Sequence, residues 1–210
     1  MPKHISFYLD DVGYEKNTFN YIKSLDKNLL LNKTFLDIGG NIGLYSLFLK
    51  KNYNSKIMVF EPDNNNLRLL YKTLKKNNFN NFFIFPFAIS DKTAMKKMLI
   101  DDVMSCSGSI SDHRNVPQQR MKLNEFKNVV AVKLDDVKDL NLDDLSLVKI
   151  DVEGHELQVI AGMMKIIKKY LPIIIVEIRK DNLENVKNLL FPLNYQIKKI
   201  DSEPNYIFFR

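Results

Sequence analysis

The run Thr34-Phe35-Leu36-Asp37-Ile38-Gly39-Gly40-Asn41-Ile42-Gly43 constrains the fold of this chain more than any other. Its first five residues read as a buried strand, which the glycines then break. Leu44, Leu47 and Phe48 follow at helical spacing, and Lys50-Lys51 closes that helix. Strand, glycine turn and helix in this order open a parallel sheet with crossover helices. The unit recurs. Lys56-Ile57-Met58-Val59-Phe60 is a second strand ended by Glu61-Pro62, with Asp63 placed to cap the next helix. Leu67, Leu70, Tyr71 and Leu74 then share one helix face. Phe82 to Phe87 reads as a third strand. Leu145 to Asp151 is another, followed by a helix marked by Leu157, Ile160, Ala161 and Met164. Ile173 to Glu177 is a strand and Leu183 to Leu190 a helix. Gln196 to Ile200 and Tyr206 to Phe209 close as a hairpin.

The middle is less regular. Ala94 to Ile100 and Val129 to Leu134 read as strands, and the polar stretch Asp101 to Lys127 between them as a long functional loop. Residues 1–33 carry Phe19, Ile22 and Leu25 at helical spacing. They read as an N-terminal helical cap segment, with 34–210 as the main domain. A chain of 210 residues, 45% of them hydrophobic, suits one such α/β domain and has enough apolar content for a core. Its single cysteine, Cys106, excludes an intrachain disulfide framework and a cysteine-based zinc site, which fits a reducing compartment. The first residues do not read as a signal peptide, and no apolar run is long enough to span a bilayer. A soluble, cytoplasmic protein is the expectation.

In a doubly wound sheet the turn after the first strand borders the ligand crevice. The spacing is not G-x-G-x-x-G, because Asn41 stands where the second glycine would be. Asp37 at the strand's end would repel a pyrophosphate but suits a cationic amino group. S-adenosylmethionine carries an ammonium, a sulfonium and no phosphate. Glu61 ends the next strand, where a carboxylate can accept both ribose hydroxyls. Ala88-Ile89-Ser90-Asp91 follows the third strand, where it would flank the adenine.

Val148-Lys149-Ile150-Asp151-Val152-Glu153-Gly154-His155-Glu156 is the other dense region. Lys149 and Asp151 share one strand face. Asp151 ends its strand at the same edge as Asp37 and Glu61, and Gly154 allows a tight turn. Glu153, His155 and Glu156 then lie at the start of a helix. These groups suit general-base work, His155 near neutral pH in particular; for Glu156, complementing the helix N-terminus serves equally. Glu177 brings a further carboxylate to the edge. Asp151 and Glu177 sharing a divalent cation and Glu177 bonding to a loop are equally open, so no metal ligand is assigned.

These residues resemble the FkbM family of S-adenosylmethionine-dependent methyltransferases. The matching segments are Phe35 to Ser46, Val59-Phe60-Glu61-Pro62, Ala88-Ile89-Ser90-Asp91, Val132-Lys133-Leu134-Asp135-Asp136, Val148 to Glu156 and Pro172 to Glu177. Gly40 stands where the family's loop more often has alanine, a departure expected to be sterically mild. The resemblance implies a Rossmann-like class I methyltransferase fold: a doubly wound, seven-stranded, mostly parallel sheet with an antiparallel last strand. It also implies O-methylation of a small-molecule or sugar hydroxyl. On this reading Asp37, Gly39, Gly40, Asn41, Gly43, Glu61, Pro62, Ala88 and Asp151 hold S-adenosylmethionine, and Asp151, Glu153 and His155 handle the acceptor.

The net charge of +6 raises an RNA ribose hydroxyl as an alternative acceptor. However, Lys50-Lys51, Lys75-Lys76 and Lys168-Lys169 fall at helix C-termini, where cations complement the dipole, and no aromatic-interleaved basic patch accompanies them. An amine-gripping Asn-Pro-Pro-Tyr motif is absent, and Cys106 lacks the context of a cytosine-attacking nucleophile. A non-catalytic cofactor-binding module is the remaining class, against which the intact carboxylates argue.

Overall fold

The structure, a computed structural model, describes residues 13–100, 108–109, 125–178 and 182–210. Helix α1 (Lys16–Ser24) precedes strand β1 (Thr34–Ile38), helix α2 (Leu44–Tyr53), strand β2 (Lys56–Phe60), helix α3 (Asn64–Asn77) and strand β3 (Phe82–Phe85). Four further strands follow: β4 (Ala88–Ile89), β5 (Ala94–Ile100), β6 (Gly108–Ser109) and β7 (Glu125–Val132). The chain continues through β8 (Leu145–Ile150), α4 (Glu156–Gly162), α5 (Met164–Tyr170), β9 (Ile173–Glu177), α6 (Leu183–Leu190), β10 (Gln196–Lys199) and β11 (Asn205–Phe209).

The main sheet has seven strands in the order β10-β11-β9-β8-β1-β2-β3. β11 lies antiparallel to both of its neighbours, β9 and β10, while β3, β2, β1, β8 and β9 pair in parallel. This is the class I methyltransferase arrangement, with the reversed last strand expected from the sequence. The chain leaves β1 toward β2 and β3, then returns to the other side of β1 with β8. The switch point therefore lies at the carboxyl ends of β1 and β8, where such sheets bind ligands.

Strand alternation sends Leu36, Ile38, Met58, Phe60, Val148 and Ile150 to one face, under α4, α5 and α6. Phe35, Ile57, Val59, Leu147, Ile175 and Ile207 go to the other, packed with Phe19 and Ile22 of α1 and with side chains of α2 and α3. Both faces are covered, as a parallel sheet requires. Asp63 caps α3 by accepting from the amides of Asn65 (2.7 Å) and Asn66 (3.2 Å), as its position suggested. The lysine doublets end α2, α3 and α5. The first turn of α1 is capped from outside: the Glu203 carboxylate accepts from the amides of Asn17 (2.7 Å) and Thr18 (3.0 Å) and from the Thr18 hydroxyl. Among the described residues, no helix is long and apolar enough to cross a membrane.

Some boundaries differ from expectation. The third strand ends at Phe85, because Pro86 has no N–H for a ladder, and Ala88–Ile89 joins a second sheet instead. That sheet runs β4-β7-β5-β6, with β5 antiparallel to β7 from Ala94↔Ala131 to Ile100↔Glu125. The strand read as Val129 to Leu134 therefore starts at Glu125 and ends at Val132, drawn out by pairing across the expected loop. Of that loop, 108–109 and 125–127 are strand, and 101–107 and 110–124 lie outside the described residues. The helix after β8 begins at Glu156 and breaks at Met163. Asp151 stands just past its strand.

Candidate active site

The glycine turn is shaped by close approach. Gly39 has φ +75°, and a Cβ there would lie 1.9 Å from the Asp151 carbonyl oxygen. Only glycine fits, and the loops after β1 and β8 touch as a result. The Gly39 amide donates to the Phe60 carbonyl (2.9 Å), and the Asp151 amide to the Ile38 carbonyl (3.0 Å). Gly40 corrects the expectation of a mild departure: a Cβ there would lie 2.3 Å from Val59 Cγ1. Valine has a stiff χ1 and little room to yield, so glycine at 40 and valine at 59 are matched in this chain.

Asp37 and Glu61 are almost fully buried, at 3% and 5% exposure. Asp37 accepts a 2.5 Å hydrogen bond from Ser46 Oγ. Burial pushes its carboxyl up to about 6, although the Ser46 bond and the Lys149 charge oppose the shift. Glu61 accepts from the amides of Asn41 (2.8 Å) and Asp63 (2.8 Å). Burial raises it to about 7 against those donors. Asn41 itself has φ +50°, which turns its amide toward Glu61.

The acidic edge is larger than the sequence suggested. Oxygens of Glu15, Asp151 and Glu177 all lie within 4.8 Å of one another. Burial first, then the Asp151 charge, lifts Glu177 to about 7. Lys149, 1% exposed, reaches Asp151 Oδ2 at 3.4 Å and Asn205 Oδ1 at 3.2 Å, and its ammonium lies 5.1 Å from the Tyr45 ring centre. Tyr45 donates to Glu15. The Tyr14 hydroxyl is held far above its ordinary value by burial and by the charges of Glu15, Asp151 and Glu177. Glu15, Tyr14, Tyr45 and Asn205 were missed by sequence reasoning. Glu15 and Tyr14 carry no motif and reach the edge only because α1 docks there.

Glu153 is half-buried with φ +53°, and Gly154 completes the turn at +104°. Glu156 is buried, and its Oε1 accepts from the Gly154 amide at 2.6 Å. His155 is 5% exposed, with Nε2 3.0 Å from Ser90 Oγ. Its imidazole thus joins the turn after β8 to the turn after β4. Ala88 is buried in β4, beside Ala131 of β7. Pro62 follows Glu61 and leads to Asp63, whose Oδ2 pairs with Lys127 of β7 at 2.9 Å. The second sheet is thereby fastened beside the Glu61 turn.

A family model described as the methyltransferase FkbM domain matches residues 37–204. The methyltransferase sdnD of Sordaria araneosa is 29% identical over 174 residues, covering 65% of this chain and 62% of the relative. Methyltransferase 1 of Beauveria bassiana is 24% identical over 142 residues, 61% of this chain and 57% of the relative. The chain thus spans about three fifths of the length of these curated relatives. Among solved structures, the methyltransferase FkbM of Methylobacillus flagellatus matches 85% of this chain and 44% of its own at a TM-score of 0.60, with 20% identity. At that identity the likeness is one of fold.

Two predictions follow from this geometry. Between about pH 5 and pH 7, Asp37, Glu61 and Glu177 keep in the folded chain protons that the unfolded chain has already released. Raised carboxyl pKa values make stability fall as pH rises from about 5 to about 7.5. Thermal melts of the unliganded protein at constant ionic strength should show a falling midpoint, and a flat or rising one would contradict the buried neutral carboxyls. Separately, Gly40→Ala should destabilise by about 1–3 kcal/mol. Combined with Val59→Ala, the loss should be smaller than the sum of the two single losses. Denaturant unfolding of the double-mutant cycle reads this, and simple additivity would contradict the Gly40–Val59 match.

Proposed function

Because this chain belongs to the FkbM methyltransferase family, we propose that it transfers a methyl group from S-adenosylmethionine to a hydroxyl oxygen of a small molecule or sugar. One observation carries the reading. Two buried carboxylates, Asp37 and Glu61, end adjacent strands on either side of a glycine turn, and their hydrogen-bond donors are a hydroxyl and backbone amides. Two such acceptors fit a ligand with a cationic amino group and a diol, and disfavour a phosphate.

On this reading the Asp37 carboxylate meets the cofactor's ammonium and Glu61 accepts from its ribose hydroxyls. Gly39, Gly40, Asn41 and Gly43 bring backbone close to it, and Pro62 and Ala88 flank its base. When bound, S-adenosylmethionine supplies a methyl activated by a cationic sulfur. The protein's main task is then alignment, since orienting two reactants removes much of the barrier. Asp151 holds the acceptor hydroxyl and, with Glu177, takes its proton. A carboxyl raised to about 7 suits that exchange near neutral pH. Glu153 lines the acceptor side, and His155 serves from behind by tying the Glu153 turn to Ser90. Of the N-terminal segment 1–33, the described residues 13–33 bring Tyr14 and Glu15 to that side, while 34–210 make up the catalytic domain.

Calorimetry with S-adenosylmethionine is the first test. The unaltered protein should bind, and Glu61→Gln should weaken binding by about tenfold or more. No binding by the unaltered protein would overturn the reading, and undiminished affinity in Glu61→Gln would remove the ribose role. Mass spectrometry after incubation with labelled cofactor and a glycan and metabolite panel should identify the acceptor. Asp151→Asn should then keep cofactor binding and lose about a hundredfold or more in rate. Full activity in that variant would take Asp151 off the reaction path.

A further inference from the structure

Lys149, which the strand pattern puts on the face of Asp151, has a role in this site that neither that pattern nor the family resemblance assigns. On its face of the sheet, β1 runs Phe35 then Asp37, β8 runs Leu147 then Lys149, and β9 runs Ile175 then Glu177. The apolar face thus ends in a polar row, and Lys149 lies directly across from Asp37 in register. At 1% exposure its ammonium has no access to bulk water, a costly placement unless charge and hydrogen bonds offset it.

The geometry supplies an offset of both kinds. An ammonium has three N–H groups. One is directed to Asp151 Oδ2 at 3.4 Å, another to Asn205 Oδ1 at 3.2 Å, and the charge lies 5.1 Å from the Tyr45 ring centre. Asn205 cannot turn its oxygen away, because its Nδ2 donates to Thr18 Oγ1 at 3.0 Å. Burial alone would depress the lysine. The charges of Asp151, Glu15, Glu177 and Asp37 outweigh it and keep the group protonated. Glu15, Asp151 and Glu177 meanwhile present oxygens within 4.8 Å of one another, a spacing that would otherwise suit a hard divalent ion.

We infer that the Lys149 ammonium is the resident cation of this carboxylate edge, fixing the Asp151 carboxylate in the place where a divalent ion would otherwise do so. Lys149 is then a positioning residue, acting through Asp151, and the edge needs no metal. The inference rests on reading this edge as the acceptor side, but its test does not.

Manganese(II) is the probe, followed by electron paramagnetic resonance and by the thermal midpoint. The unaltered protein should take up no manganese at this edge at millimolar concentration and keep its midpoint. Lys149→Met removes the charge and keeps the length. It should gain about one manganese per chain and show a midpoint raised by several degrees in manganese. Adding Glu177→Gln should abolish that gain. Manganese bound by the unaltered protein and lost in Glu177→Gln would overturn the inference, and so would a folded Lys149→Met that gains none. Should Lys149→Met not fold, the unaltered protein and Glu177→Gln still decide. Neither acceptor nor S-adenosylmethionine enters these measurements, so they fail or succeed separately from the calorimetry on the proposed reaction.

Discussion

The loops after β1 and β8 are fastened to each other at one point. The Asp151 carbonyl occupies the space a side chain at position 39 would fill, and the Asp151 amide bonds to Ile38. This contact holds the end of β1 against the end of β8 and fixes where Asp37 and Asp151 stand relative to each other. Everything else at the edge is placed from there. Asn41 turns its amide to Glu61, and Lys149 lies in register with Asp37. A site built on strand ends is more rigid than one built on loops alone, and reaction geometry depends on that rigidity.

The edge also shows how a doubly covered sheet admits charge. On the face packed with α1, α2 and α3, the strands carry Phe35, Ile57, Val59, Leu147, Ile175 and Ile207 below the edge. At the edge, Asp37, Lys149, Glu177 and Asn205 form a single band. Burial raises Asp37 and Glu177 of this band, and the neighbouring Glu61, toward neutrality and keeps one ammonium beside them. Such a band is unfavourable for the empty protein and complementary to a cationic ligand, a trade of stability for binding commonly seen at functional sites.

The parallel sheet, its closing hairpin, the Asp63 cap and the lysine-ended helices were all legible in the sequence, because each rests on local periodicity or on a residue with one dominant conformational use, while the reversed last strand was implied by the family resemblance. Asp37, Glu61, Asp151 and Glu177 were legible as a set because strand ends in this topology share an edge. The second sheet was not, since β4 is two residues long and gains its identity only by pairing with β7. Glu15 and Tyr14 were invisible because no pattern announces which way an N-terminal helix docks. The steric cost at Gly40 was misjudged because it depends on Val59, a neighbour in space from the adjacent strand.

The outside capping of α1 has a consequence for how the protein is made. Glu203 reaches back across 185 positions to hold Thr18, and Asn205 does the same for the Thr18 hydroxyl and Lys149. During synthesis, β1 and its glycine turn exist long before the strand that anchors the first helix. Until β11 slides between β9 and β10, α1 lacks its cap and Lys149 lacks one of its partners. The nascent chain therefore holds an unfinished charged edge and an unfilled sheet slot. Contacts of such long sequence separation close late and slowly. That interval is when the chain is most exposed to mispairing, and when a chaperone would matter most.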